Sequence, residues 1–336
     1  MTPAKPQSRS GRAASSLISQ LLYLVALILQ ELSRLALRAM HKTSGVNSSE
    51  PAVKAEISDS DFTAQVVASL GPKTDERLRC VMTALMRHAH DLVREVQVTT
   101  DELFAAVDMV NWAGRMSNDR RNETQLLCDV LGIESLVDAV TWAQSDGGGG
   151  TTPSAVLGPF WRSDAPLRAN GSSISFNPRA DAQPVFVHGK IMGEGGLGLA
   201  DATVDVWQAS TNGLYEQQDA HQVEHNLRGI FKTDDEGNYS LYCIRPTPYP
   251  VPDDGPAGKL LQLLDRNKLR PAHIHFMVRA RGYKTLVTQV FDQECSHLGN
   301  DSVFAVKNDL ALRFKERRGD AQAGLELEFD VKLAKE

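Results

Sequence analysis

The chain has 336 residues, 42% hydrophobic and 23% charged, with a net charge of −6, enough for one large or two ordinary domains around a sizeable core. It carries no Lys/Arg run long enough to track phosphates, which argues against a nucleic-acid partner. Cys80, Cys128, Cys243 and Cys295 lie far apart with no C-x-x-C pair, so they fit neither a disulfide framework nor a thiolate zinc site, and a reducing compartment is the simpler reading.

The N-terminus opens with Lys5, Arg9 and Arg12 among serines and no acid, followed by the apolar run Leu21–Leu29. That run is too short to span a bilayer. It reads as a secretory or transit leader, or as an extra amphipathic helix that docks on the body or touches lipid. Residues 1–60 are therefore taken as leader helix and linker, the Ser-rich 41–60 stretch being the linker. Cytoplasmic placement is the simplest, with mitochondrial or membrane-associated placement as the alternatives.

From 61 to 148 the pattern is helical. Leu78, Val81, Met82, Leu85, Met86, Ala89, Leu92 and Val93 make one stripe at i, i+3, i+4 spacing, with His88 and His90 flanking it as surface residues. A second helix starts with Thr100 as N-cap and Glu102 in its first turn. A third is broken at Gly132 and resumes, and SDGGGGTTPS (145–154) is the clearest boundary in the chain. Beyond it, PVFVHGKIMG, ADATVDVWQAS, NYSLYCIR, AHIHFMVRA and TLVTQVF are short β-branched and aromatic runs between turn residues. The expected fold is thus α+β, a helical N-terminal domain (61–148) followed by an antiparallel β-sandwich (149–336).

Two features carry chemistry. His273 and His275 lie in the extended run RPAHIHFMV, where side chains i and i+2 share a face and both imidazoles can reach one metal. Paired histidines on a strand are also often plain polar surface. Tyr249 is stiffened by Pro248, Pro250 and Pro252, and Tyr215 follows the Asn212-Gly213 turn. Either tyrosine could instead be a structural loop aromatic. Two phenolates with two imidazoles would suit a hard trivalent iron better than zinc or calcium, because only a strongly charged metal keeps two tyrosines deprotonated at neutrality.

In these segments the chain resembles the intradiol dioxygenases that cleave catechols. The similarity runs from about Asp61 to Leu312 and includes VLGPFWRSDAP, ATVDVWQASTNGLY, LRGIFKTDDEGNYSL, YPVPDDGPAGKLL, RPAHIHFMVRARGYKTLVTQVF and NDSVFAVK. The most specific feature is RPAHIH with a proline-bounded tyrosine 24 residues before its first histidine. The resemblance implies a non-haem Fe(III) held by Tyr215, Tyr249, His273 and His275. It also implies a guanidinium at Arg270, an active-site amide at Gln289, and a helical domain that forms a homodimer contact. Departures are Gln208, where the family usually has His, and Asp265–Leu269 in place of an Arg-His-Pro-Trp run.

What the resemblance implies about mechanism is activation of the catechol rather than of oxygen. Tyr249 serves as ligand and as base, Arg270 stabilises negative charge developing on the ring, and Gln289 holds a hydroxide or the substrate. No G-x-G-x-x-G follows a strand, so no nicotinamide or flavin is expected. LGPF and YPVPDDGP look like the hydroxyquinol-cleaving branch. There Leu126, Asp129 and Val130 would roof the pocket, and Leu157, Gly158, Pro159, Val251 and Pro252 would line its apolar wall with Arg270. Asp129 would accept from a third ring hydroxyl, or else merely cap or salt-bridge on its helix. The alternatives are a catechol or chlorocatechol 1,2-dioxygenase, and a non-catalytic β-sandwich binding protein that has kept the fold.

Overall fold

The structure, a computed structural model, describes residues 60–119, 121–145 and 150–336. The apolar run Leu21–Leu29 and its expected helix lie outside these. The chain forms two compact units, divided between Arg115 and Met116.

The first unit is helical, with α1 (Ser60–Ala68), α2 (Glu76–Val96) and α3 (Thr100–Met116). Asp75 caps α2 by accepting from the Leu78 N–H at 3.1 Å. His90, expected on the surface, is half-buried instead. Its Nδ1 lies 2.9 Å from Thr63 Oγ1 and its ring stacks on Phe62, so it ties α1 to α2. The cap of α3 is Thr99 rather than Thr100. Thr99 Oγ1 accepts from the Glu102 N–H at 3.3 Å and Glu102 Oε2 accepts from the Thr99 N–H at 2.8 Å, a reciprocal box that needs the spacing of three residues.

The second unit begins with α4 (Glu123–Val130) and α5 (Ile133–Ser145). Gly132 separates them at φ +72°, a left-handed turn that a side chain would strain. Asn122 caps α4 by accepting from the Gln125 N–H at 3.0 Å. A further helix, α6 (Pro256–Leu263), is only eight residues long, too short for a periodic stripe to mark it in the sequence. Pro256 starts it, at a position where the missing N–H costs nothing. The next free N–H, that of Ala257, is accepted by Glu123 Oε1 at 3.2 Å.

Thirteen strands fill the rest of the described chain: β1 (Ser172–Ser173), β2 (Pro184–Met192), β3 (Thr203–Trp207), β4 (Arg228–Lys232), β5 (Asn238–Ile244), β6 (Tyr249–Pro250), β7 (Leu269–Arg270), β8 (His273–Arg279), β9 (Leu286–Asp292), β10 (Ala311–Leu312), β11 (Lys315–Glu316), β12 (Leu325–Glu328) and β13 (Val331–Lys332). One sheet runs β1-β5-β2-β12-β11 with β13 also on β2, a second runs β10-β9-β8-β3-β4, and β6 pairs with β7 alone.

The sheets are mixed, which corrects the expected antiparallel sandwich. Strands β12 and β13 lie parallel to β2, β1 to β5 and β10 to β9. Alternation in sequence fixes which face a residue takes but not strand direction. Long connections into the C-terminal strands permit parallel pairing where tight hairpins would forbid it.

Strand β8 is buried on both faces. Ile274, Phe276 and Val278 alternate with His273, His275 and Met277. The histidine-bearing face meets a cluster of Phe160, Trp207, Ala209, Tyr215, Tyr249 and Met277, flanked by half-buried Leu157 and Trp161. A strand so enclosed cannot carry its histidines as surface polars.

Candidate metal centre

Register places the first functional side chains. His275 stands opposite Trp207 on β3 and Gln289 on β9, and His273 opposite Phe291, so all five share one sheet face. The His275 ring stacks on Trp207 at 4.7 Å and 8°. Its edge passes Gly158, where a Cβ would come within 3.3 Å of His275 Cε1 on a backbone held at φ +73°. That glycine lets the LGPF loop close over the imidazole.

Tyr249 comes from the two-stranded ribbon, where it pairs directly with Arg270. The Gly213 turn presses on it from the other side, since a Cβ there would lie 2.8 Å from Tyr249 Cβ. Tyr215, fully buried, follows that turn and is gripped by aromatic and cationic groups. Phe160 stacks on its ring at 4.7 Å, and the Arg228 guanidinium lies 5.6 Å from its centroid. Arg228 is itself buried and paired with Glu216 at 2.6 Å.

These elements bring the four expected side chains together. Tyr215 Oη lies 3.1 Å from Tyr249 Oη, Tyr249 Oη 3.3 Å from His273 Nε2, and His273 Nε2 3.1 Å from His275 Nε2. His273 Nδ1 is 2.7 Å from the Pro271 carbonyl. Its proton therefore sits on Nδ1 and the Nε2 lone pair faces the other three groups. Burial, then the Arg270 charge, pushes His273 well below the usual imidazole range, and burial with His273 does the same to His275. Both rings are neutral and able to donate lone pairs. Burial raises both phenols, Tyr215 further through Tyr249. Two buried phenols and two neutral imidazoles converging on one point are a donor set suited to a multiply charged cation.

Arg270 closes the cluster. Its Nη1 is 3.0 Å from His273 Nε2, its Nη2 donates to Gln289 Oε1 at 3.0 Å, and its Nε donates to Asp301 Oδ1 at 3.3 Å. Burial opposes this charge, but Asp301 and Tyr249 outweigh it and hold the guanidinium above its ordinary pKa. Gln289 Nε2 donates to the Val156 carbonyl at 2.7 Å, so its amide is engaged at both ends. Asp301 lies in the NDSVFAVK segment, where nothing local in the sequence marks it for a role. Its two oxygens also accept from the Val303 and Ala305 N–H groups, which fixes it as the buried counter-ion of Arg270.

A pocket opens on this cluster. Of the expected lining, Leu126, Asp129, Gly158, Pro159, Val251, Pro252 and Arg270 face it, joined by Phe160, Tyr249, His275 and Val303. Val130 and Leu157 do not. Val130 is fully buried, with its carbonyl accepting from Arg266, and Leu157 packs into the aromatic cluster.

Elsewhere, Asp164, Glu224 and His225 approach one another closely enough to share an ion. Arg162 already neutralises the two acids, at 2.7 Å and 3.2 Å.

The model of the family described as "Dioxygenase" matches residues 156–335, and that of "Catechol dioxygenase N terminus" matches 75–149. Over 278 residues the chain is 45% identical to an intradiol ring-cleavage dioxygenase of Aspergillus niger, covering 82% of this chain and 88% of that one. The chain belongs to the intradiol ring-cleavage dioxygenases. As a member of this family it is an enzyme, an oxidoreductase. This intradiol dioxygenase is also 44% identical to a catechol 1,2-dioxygenase of Candida albicans, over 82% of this chain and 92% of that one. The solved hydroxyquinol 1,2-dioxygenase of Pseudomonas putida superimposes with a TM-score of 0.72 at 34% identity, covering 82% and 98% of the two chains.

Proposed function

We propose that this enzyme cleaves hydroxyquinol (1,2,4-trihydroxybenzene) between its adjacent hydroxylated carbons, yielding 3-hydroxy-cis,cis-muconate or its keto form, maleylacetate. Tyr215, Tyr249, His273 and His275 would hold a non-haem Fe(III). When bound, the iron supplies the Lewis acidity that keeps the ligand phenolates and the catechol oxygens deprotonated and couples the ring electronically to O2.

The chain's own groups do the rest. Tyr249 Oη is the acceptor for a catechol proton, because its burial gives the phenolate a high proton affinity. Arg270 turns a fixed positive charge toward the ring as negative charge develops there. Gln289, with both amide ends engaged, positions Arg270 rather than touching substrate. Leu126, Pro159, Val251 and Pro252 give the ring an apolar seat that keeps out water.

The observation that carries the substrate reading is the buried Asp129 carboxyl in the same pocket as Arg270, Tyr249 and His275. A catechol lacking the third hydroxyl leaves that carboxyl unpaired, at a cost in transition-state binding. The test is the ratio of kcat/KM for 1,2,4-trihydroxybenzene to that for catechol, expected well above one. A ratio below one would move the assignment to the alternative, a catechol or chlorocatechol 1,2-dioxygenase, which the 44% identity to the Candida enzyme supports. The iron is tested by colour. Ferric-loaded protein is expected to be red-brown from phenolate charge transfer, with the band altered in Tyr215→Phe. A colourless protein after aerobic ferric reconstitution would sink the ligand assignment. Dimerisation through the helical region at 61–148 is the accompanying proposal, checked by light scattering.

A further inference from the structure

Arg228 is fully enclosed, 1% exposed, and does not line the substrate pocket. A guanidinium taken out of water is costly unless something compensates it. Arg228 ends a single row across the sheet. It stands on β4 opposite Trp207 of β3, Trp207 stands opposite His275 of β8, and His275 opposite Gln289 of β9. Directly opposed residues share a face, so the cation lies on the face that carries the histidines. The chain is bent to bring it there. Leu227, just before β4, is buried at φ +59°, a left-handed conformation that a residue with a Cβ resists. Its N–H donates to the Ile174 carbonyl at 2.7 Å, which holds the bend.

From that place the guanidinium lies over the Tyr215 ring, 5.6 Å from its centroid, within the range at which a cation is drawn to an aromatic face. The residues that follow Tyr215 hold it there. Arg228 Nε donates to Glu216 Oε2 at 2.6 Å, and Nη2 donates to Gln217 Oε1. The next residue, Gln218, fixes the tyrosine itself, its Oε1 accepting from the Tyr215 N–H at 3.0 Å. Ring, backbone and cation are thus fastened by one short turn, Glu216–Gln218. Glu216 Oε1 also accepts from Arg162 at 3.0 Å, but Arg162 is shared with the exposed Asp164 and Glu224. The buried Glu216 is therefore the principal counter-ion of Arg228.

We infer that Arg228 is a positioning residue for Tyr215, its charge set over the ring by Glu216 and governing how strongly that ring donates to a bound metal. The inference rests on the assignment of Tyr215 as an iron ligand and adds the two groups that tune it. Tyr215 has no exposed surface, so water cannot spread the charge of its phenolate. A cation on the ring face does so instead. It lowers the filled orbitals of the phenolate, so more energy is needed to move an electron from the ring to ferric ion.

The test compares the absorption spectra and melting curves of the ferric-loaded parent, Arg228→Gln, Arg228→Lys, Glu216→Gln and Tyr215→Phe. R228Q removes the cation, and its charge-transfer band is expected at longer wavelength, with kcat down about 10-fold or more. R228K keeps the charge without the planar fork, so it should melt below the parent while its band stays nearer the parent's than that of R228Q. E216Q keeps an acceptor for Arg228 Nε and removes the opposing negative charge, so its band should move to shorter wavelength. Opposite shifts in R228Q and E216Q are the mark of a charge acting on the ring. A merely structural role would lower the melting temperatures and leave both bands in place, or move both the same way, and either result overturns the inference. If R228Q does not fold, E216Q decides alone, and a band that is unmoved or at longer wavelength is the overturning result. A colourless parent, or a Tyr215→Phe spectrum like the parent's, overturns the ligand assignment and the inference with it. That failure is told apart because it shows before any Arg228 variant is measured.

Discussion

Asp301 and Arg270 form an ion pair in which both partners are almost wholly buried, 3% and 6% exposed at the side chain, with Nε and Oδ1 3.3 Å apart. The other end of the same guanidinium reaches His273 Nε2 at 3.0 Å. Asp301 thus aims the Arg270 charge, proposed above to meet the ring, without itself lining the pocket. Asp301→Asn keeps the shape and removes the charge that balances Arg270. Its kcat is expected to fall about 10- to 100-fold, as for other supporting partners of a metal site, with ferric binding retained because Asp301 is outside the ligand set. Steady-state kinetics beside an iron titration checks both halves. Unchanged kcat would remove Asp301 from the mechanism.

A second clamp lies at the pocket roof. Arg121 donates to Glu123 at 2.7 Å and to both oxygens of Asp254 at 2.8 and 2.9 Å, so it joins the start of α4 to the loop that follows Tyr249. The Glu123 side chain has no exposure at all. Arg121→Ala leaves that carboxylate buried and uncompensated, and the expected loss is about 3–5 kcal/mol. Chemical denaturation measures it, and a loss near zero would show that the clamp is ornamental.

Gly213→Ala tests the placement of Tyr249. The backbone there is at φ +80°, and the new methyl would stand 2.8 Å from Tyr249 Cβ. The left-handed conformation alone costs about 1–2 kcal/mol for a residue with a Cβ, and the methyl must push the tyrosine aside. The expected result is a lower melting temperature together with a shifted charge-transfer band. A band that keeps its position and intensity would mean that the ring does not depend on this turn.

The pH dependence of stability follows from Asp129. Its folded-state pKa is raised above the ordinary 3.8, so the folded chain holds more protons than the unfolded chain once the pH exceeds that value. Stability is then lost as the pH rises from about 3.8 toward the folded-state pKa, because the buried acid resists ionising. Asp129→Asn removes that penalty. The variant should melt above the parent at neutral pH, with the two converging near pH 3.8. Parallel melting curves across this range would contradict the raised pKa.

Removing the metal should also register in stability. A cation held by four groups that only folding brings together binds the folded state alone, so it adds stability that grows with the logarithm of its concentration over its Kd. Chelation is expected to lower the melting temperature and bleach the colour, with both restored by ferric ion. Chelation that bleaches without any shift in melting would place the metal elsewhere.

Much of the centre was legible in the sequence because it is encoded locally. The period of two in HIHFM puts both histidines on one face, and the prolines around Tyr249 hold that residue in extended backbone whatever surrounds it. The break at Gly132 was readable for the same reason, since a left-handed residue must be paid for where it stands. Strand direction was not readable. Alternation is the same read forward or backward, and the parallel pairing of β12 and β13 with β2 depends on where a long connection delivers the chain.

The supporting groups lay beyond the sequence in the same way. Asp301 meets Arg270 across 31 residues, Gln289 meets Val156 across 133 and Glu123 meets Ala257 across 134. The Leu157 N–H that Glu134 accepts was equally hidden, because folding brings it from 23 residues away. The chemical types of the converging side chains are a property of the chain. Their charge states, and the order in which neighbours aim them, depend on burial and on contacts that exist only once the sheets have packed.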